Sequence, residues 1–498
     1  MTKLAHPQGV TEPRRMNSPT LKKKPLEQGP GHFPRVIDTR AVNFRSLYCI
    51  AASLFTYLAF NFAINSGENV NRSFLLAITG GLLALVPLMG SEAGRVLGTG
   101  KLGLFLLIVY VFKTIASVTH FLFYIQPDYF DGNAEFSYFW DYMWLDQSLT
   151  FVADTWHVGG LFSPIGADYW QENKNAGLLA FMSLSYYFTG NYPLSIVPWN
   201  VLFTIYSAVL ISDITKKLGG GGREVSLAIW IAALFPFSFI GSLMWRDTTG
   251  QFLIVLGAYL IVLTRFRLIY WLLLVPAGAF LAYLHREPYL MVFIAAPAAF
   301  VLNEVRKTKY AFALAPIIGV LLLVSIPMVL RGVSFSLFRY TEAGGGAIDQ
   351  MLSPARLIGL PFRCIRAILG PFPWTQYFKQ VDGYAYQPFD YLQSVLNLAM
   401  LMCAVPIAWR LWKMKHEFEI CTLLALLFFL MGVLSGGVHT SYISVGLILL
   451  IPMLTHVGAV HFRKILTASL LFFVVANIIV VGFGFSGLNI MQNLSGGY

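Results

Sequence analysis

The chain has 498 residues, 57% of them hydrophobic, 15% aromatic and only 12% charged, a charged share about half that of a soluble domain. Mean hydropathy is +0.65 and long apolar runs recur along the chain, which excludes an ordinary soluble enzyme and predicts an all-α, multi-pass membrane protein. The formal net charge is +11, but Lys and Arg are scattered between apolar runs, so a nucleic-acid-binding face is excluded as its explanation.

In chain order, residues 1–45 carry KKKP and several prolines where a signal peptide would have its apolar core, and read as a disordered basic cytoplasmic tail. Each later apolar run reads as a helix, because a backbone in lipid must satisfy its own hydrogen bonds. About thirteen spans result. Two additional N-terminal ones, over 46–65 and 74–91, fill residues 46–101. A core over 102–330 holds spans at 102–125, 194–213, 226–244, 249–264, 269–285, 289–304 and 311–330. Residues 391–498 hold four more, at 391–409, 419–436, 441–458 and 464–485.

Lys and Arg resist translocation, so their distribution sets the topology. With the N-terminus cytoplasmic and the C-terminus outside, Lys216/Lys217, Arg265/Arg267, Arg306/Lys307, Lys413/Lys415 and Arg463/Lys464 all fall inside. The short piece 177–190 contains Ser183, Ser185, Tyr186, Tyr187 and Thr189. Counted as a span it would place every one of those pairs outside, so it is read as an interfacial helix. The Gly219 to Gly222 run reads as a flexible cytoplasmic turn. Of the four cysteines, Cys49, Cys403 and Cys421 fall in apolar runs and only Cys364 in a large loop, so no disulfide framework is expected.

Two outer segments, 126–193 and 331–390, are too long for simple connectors, and loops of that size are usually functional. The first holds eight carboxylates and, from Glu135 to Leu149, alternates aromatics with acids, a pattern suited to a helix lying in the headgroup plane.

Threading the spans places a short set of polar groups at outer helix ends. Asp128 and Asp131 follow the third span, Arg246 and Asp247 lie between the fifth and sixth, and His285, Arg286 and Glu287 end the seventh. Arg331 opens the second long loop, with Arg339, Arg356, Arg363 and Arg366 beyond it, and His439 follows the eleventh span. Lys113 is the one deep charge, in the middle of the third span. Charges at membrane depth are functional suspects, but those at helix ends reach water by snorkelling, and Lys113 fits an internal salt bridge equally well. Together, acids at one helix end and arginines at several others suit glycosyl transfer from a lipid phosphate. A carboxylate takes the proton from the attacking hydroxyl, and arginines hold the departing phosphate. The sequence holds no zinc-type ligand cluster, Walker loop or GxSxG elbow. A divalent metal stays open but is not indicated.

Four passages resemble the GT-C superfamily of polyprenyl-phosphate-sugar-dependent glycosyltransferases, in particular bacterial relatives of protein mannosyltransferases and aminoarabinose transferases. They are FDGNAEFSYF in the first outer loop, YFTGNYPLSIVPWNVLFTIYSAVLISDITKKLGG, FPFSFIGSLMWRDTTGQFLIVLGAYL, and LGPFPWTQY before a late span. The resemblance implies an enzyme of the bacterial plasma membrane that moves a sugar on its outer face from a polyprenyl-phosphate donor to a glycan or lipid acceptor. Asp131 or Asp128 would be the base, and Arg246, Arg286, Arg331 and His439 would hold the carrier phosphate. This chain departs from the family in having two spans before its first long loop, and His439, Thr440, Ser441 and Tyr442 where relatives often carry an Arg-Tyr pair. A polymerase or ligase of lipid-linked polysaccharide, or a transporter or flippase using Lys113, would share the same gross features.

Overall fold

A computed structural model of the chain describes residues 44–64, 70–122, 137–166, 169, 176–234, 247–264, 395–404, 407 and 447–483. Among the described residues the secondary structure is helical, without strands. The expected tail over 1–45, but for its last two residues, the spans over 269–285, 289–304, 311–330 and 419–436, and the loop over 331–390 lie outside them.

The helices are α1 (Arg45–Ile64), α2 (Val70–Leu88), α3 (Glu92–Leu97), α4 (Thr99–His120), α5 (Ser137–Gly159), α6 (Ala176–Thr189), α7 (Ile196–Lys217), α8 (Gly222–Leu234), α9 (Asp247–Thr264), α10 (Val395–Ala404) and α11 (Ala459–Phe483). Three segments, Arg45–Ile64, Thr99–Thr119 and Pro193–Lys217, are long and apolar enough to cross a membrane. Short α3 was not expected. Ser91 caps it by accepting from the Gly94 amide, and Glu92 lies in its first turn, where the helix dipole favours an acid.

Helix α7 is the axis of the described bundle. Every residue from Ile196 to Thr215 is buried, as expected for a helix with neighbours all round. Helices α4, α8 and α9 pack along it, and α1 and α2 touch it while packing against each other. Its own Ser and Thr hydroxyls turn back onto the helix, Thr204 to the Asn200 carbonyl at 3.1 Å and Ser207 to that of Phe203 at 2.9 Å, which removes their polar cost in an apolar interior. The outer helices are one-sided instead. α1 exposes Tyr48, Phe55 and Phe62, α4 exposes Leu104, Ile108, Phe112 and Ile115, and α11 exposes Leu470 through Phe472, the apolar faces that a lipid environment would cover.

Close approach between α2 and its neighbours depends on two glycines. A Cβ on Gly81 would stand 2.0 Å from the Tyr110 hydroxyl, and one on Gly80 would stand 2.6 Å from Asn61 Nδ2. Their bareness lets α4 come near enough for Tyr110 to donate to the Ile78 carbonyl at 3.0 Å.

Candidate functional site

Of the residues singled out from the sequence, Asp128, Asp131, Arg246, His285, Arg286, Glu287, Arg331 and His439 lie outside the described residues. Asp247 is the first residue of α9. Lys113 is fully buried on α4.

Lys113 belongs to a polar zone inside the bundle. One turn before it, Tyr110 reaches α2; Thr114 and Ser117 follow on the same helix, both buried. On α1, Ser53 donates to the Ala84 carbonyl and meets the Tyr206 hydroxyl of α7 at 2.9 Å. Next along α1, Tyr57 packs against Trp199 with ring centroids 6.2 Å apart. Residue number rises along α1 as it falls along α7, so the two helices run antiparallel. Tyr57, Asn61, Trp199 and Asn200 therefore gather toward one end of the pair, beyond the Ser53–Tyr206 contact. Tyr57 Oη, Asn61 Oδ1 and Trp199 Nε1 are buried atoms that make no hydrogen bond. Leaving such atoms dry costs about 1–3 kcal/mol each.

The first long outer segment contributes α5 and α6, which pack on each other. Leu145, Leu149, Val152, Ala153 and Trp156 of α5 are buried, as are Leu178, Leu179, Met182 and Tyr186 of α6. With 14 residues, α6 is about 21 Å long and falls short of an apolar core about 30 Å thick. It does not lie apart on the surface, because it also packs against α1, α2 and α7. Gly190, at φ +93°, adopts the left-handed conformation that ends α6, donating to the Tyr186 carbonyl at 2.8 Å.

Two α5 carboxylates are fixed by this pairing. The Tyr186 hydroxyl donates to Asp146 Oδ1 at 2.6 Å. Asn191 Nδ2, in the turn after Gly190, donates to Asp154 Oδ1 at 2.6 Å. Asp154 is exposed, and one turn beyond it His157 stacks on Tyr187 with centroids 4.6 Å apart and planes 19° from parallel. Tyr169 stacks on Phe151 of α5 with centroids 5.7 Å apart, and burial pushes its phenol above the usual range. An exposed carboxylate held in one orientation beside an imidazole can accept a proton or bind a hydroxylated or cationic group.

The opposite end of α7 holds a cluster that sequence reasoning passed over. Asp213, 1% exposed, sits four residues before Lys217. Around it are Ser46 of α1, Glu92 of α3 and Tyr259 of α9. The sequence signal was available as an acid inside an apolar run, in LISDITKK. No protein family, curated protein or solved structure was found to match the chain.

Proposed function

We propose that this protein is a membrane glycosyltransferase of about thirteen spans, with a cytoplasmic N-terminus and an outer C-terminus. It would transfer a sugar from a polyprenyl-phosphate-linked donor to a glycan or lipid acceptor at the outer face of a bacterial plasma membrane. The observation that carries the reading is the anchored carboxylate Asp154, presented by paired helices in the acid-rich loop that also supplies Asp128 and Asp131. A transferase using a lipid-borne donor needs acids held at the membrane surface next to aromatic groups, and α5 with α6 provides such a support. In this reading Asp131, or Asp128, removes the proton from the acceptor hydroxyl. Arg246, Arg286, Arg331 and His439 stabilise the phosphate as the glycosidic bond breaks, with Asp247, His285 and Glu287 as their neighbours.

The test is transfer from a polyprenyl-phosphate monosaccharide by the purified full-length protein. Turnover with such a donor supports the reading. Inactivity with every monosaccharide donor, together with activity on a lipid-linked oligosaccharide diphosphate, would replace it with a polymerase or ligase.

A transport reading is favoured by one observation, the complete burial of Lys113 within a polar interior. Lys113→Met keeps the chain length while removing the charge. It should abolish transport, whereas a transferase site in the outer loops should retain most of its activity.

A further inference from the structure

We propose that the cluster at the Lys217 end of α7 is a binding site for one alkali-metal cation, with Asp213 as its charged ligand. Asp213 is almost wholly buried, yet neither of its carboxylate oxygens makes a hydrogen bond. A buried carboxylate is costly unless a charge or several donors compensate it. The groups nearest to doing so are oxygen-bearing. The Ser46 hydroxyl, which already accepts from the Glu92 amide at 3.1 Å, and the Tyr259 hydroxyl are the groups beside Asp213.

The charged groups around Asp213 are Glu92 and Lys217, of opposite sign. Lys217 is turned toward the Tyr259 ring, its Nζ 5.9 Å from the centroid. On α1, Arg45 donates to the Gly90 carbonyl. Glu92 is bridged outward to Arg95 at 3.1 Å. The charge at Asp213 is therefore the one left for an ion to balance.

Carboxylate and hydroxyl oxygens are hard ligands and select a hard cation. A divalent ion calls for more formal charge, and among the described residues no three His, Cys, Asp or Glu side chains converge. One positive charge matches what Asp213 presents. The site lies at the other end of α7 from the turn that holds Asp154, and it does not depend on the transferase reading.

Thermal unfolding of the full-length protein in detergent tests it, in NaCl or KCl against N-methyl-D-glucamine chloride at constant ionic strength, alongside radiolabelled sodium binding. One or both alkali ions should raise Tm saturably, as a ligand of the folded state does. Asp213→Asn should remove that response, and Ser46→Ala, which keeps the charge, should weaken ion affinity by at least about tenfold. Equal Tm in all three salts would overturn the proposal. A stability that follows pH but not the cation would assign the site to a proton instead. Should Asp213→Asn fail to fold, sodium binding by the unaltered protein and by Ser46→Ala decides.

Discussion

The Tyr186 hydroxyl donates to Asp146 Oδ1 at 2.6 Å, joining α6 to α5 across forty residues of sequence. Tyr186 is fully buried, so this bond fixes the depth at which α6 sits and, through Gly190 and Asn191, the orientation of Asp154. A hydrogen bond to a charged acceptor contributes about 1.5–3 kcal/mol. Tyr186→Phe and Asp146→Asn should each destabilise the protein, and the double variant should show a coupling of that size. Unfolding in mixed micelles measures it, and an additive pair of effects would separate the two residues energetically.

The approach of α4 to α2 gives a second prediction. Gly81→Ala would place a methyl group against Tyr110, and overpacking of this kind costs about 1–3 kcal/mol. Tyr110→Phe should restore only part of it, since a ring carbon would still stand 2.6 Å from the new Cβ. Gly100, in the first turn of α4, has nothing within 4 Å of the position of a Cβ. Gly100→Ala should therefore change stability by no more than about 0.5 kcal/mol. A Gly81→Ala protein as stable as the unaltered one would mean that α2 and α4 separate at little cost.

Hydropathy made the helices legible because each must satisfy its own backbone in an apolar setting. The segments predicted at 46–65 and 249–264 appear as Arg45–Ile64 and Asp247–Thr264. What hydropathy cannot supply is which face meets a neighbour. Hydropathy alone does not separate a lipid-facing helix from one buried on every side, and for that reason Asp213, the last residue of the span predicted at 194–213, goes unnoticed in the sequence. The aromatic and acidic residues of α5 indicated an amphipathic helix. Its length to Gly159 and its packing on α6 arise from contacts far apart in sequence. Asp154 and Asn191, thirty-seven positions apart, could not be paired by any local pattern.

Topology is tested directly. Reporters inserted at Gly166, exposed between α5 and α6, and at residue 370 should be active only outside, and one at Gly221, exposed between α7 and α8, only inside. An inside signal from Gly166 would put Asp146 and Asp154 on the cytoplasmic side and remove the outer-face site with them.

The final prediction separates the base from the phosphate clamp by their kinetics. Asp131→Asn keeps the size of the side chain but cannot accept the acceptor's proton, so kcat should fall by about 10²- to 10⁴-fold with KM nearly unchanged. Asp128→Asn should be mild if Asp131 is the base, and the roles exchange if the outcome is reversed. Arg246→Ala and Arg286→Ala remove donors to the carrier phosphate, and each should weaken donor binding and rate together, by about 1.5–3 kcal/mol. Arg246→Lys should recover little of that loss where the contact is bidentate, because an ammonium cannot offer two parallel donors. Asp154→Asn, on α5, supplies the comparison within the same loop. A loss of kcat there exceeding that of Asp131→Asn would move the base onto α5, beside His157. Full activity in Asp128→Asn, Asp131→Asn and Asp154→Asn alike would take the chemistry out of the first outer loop.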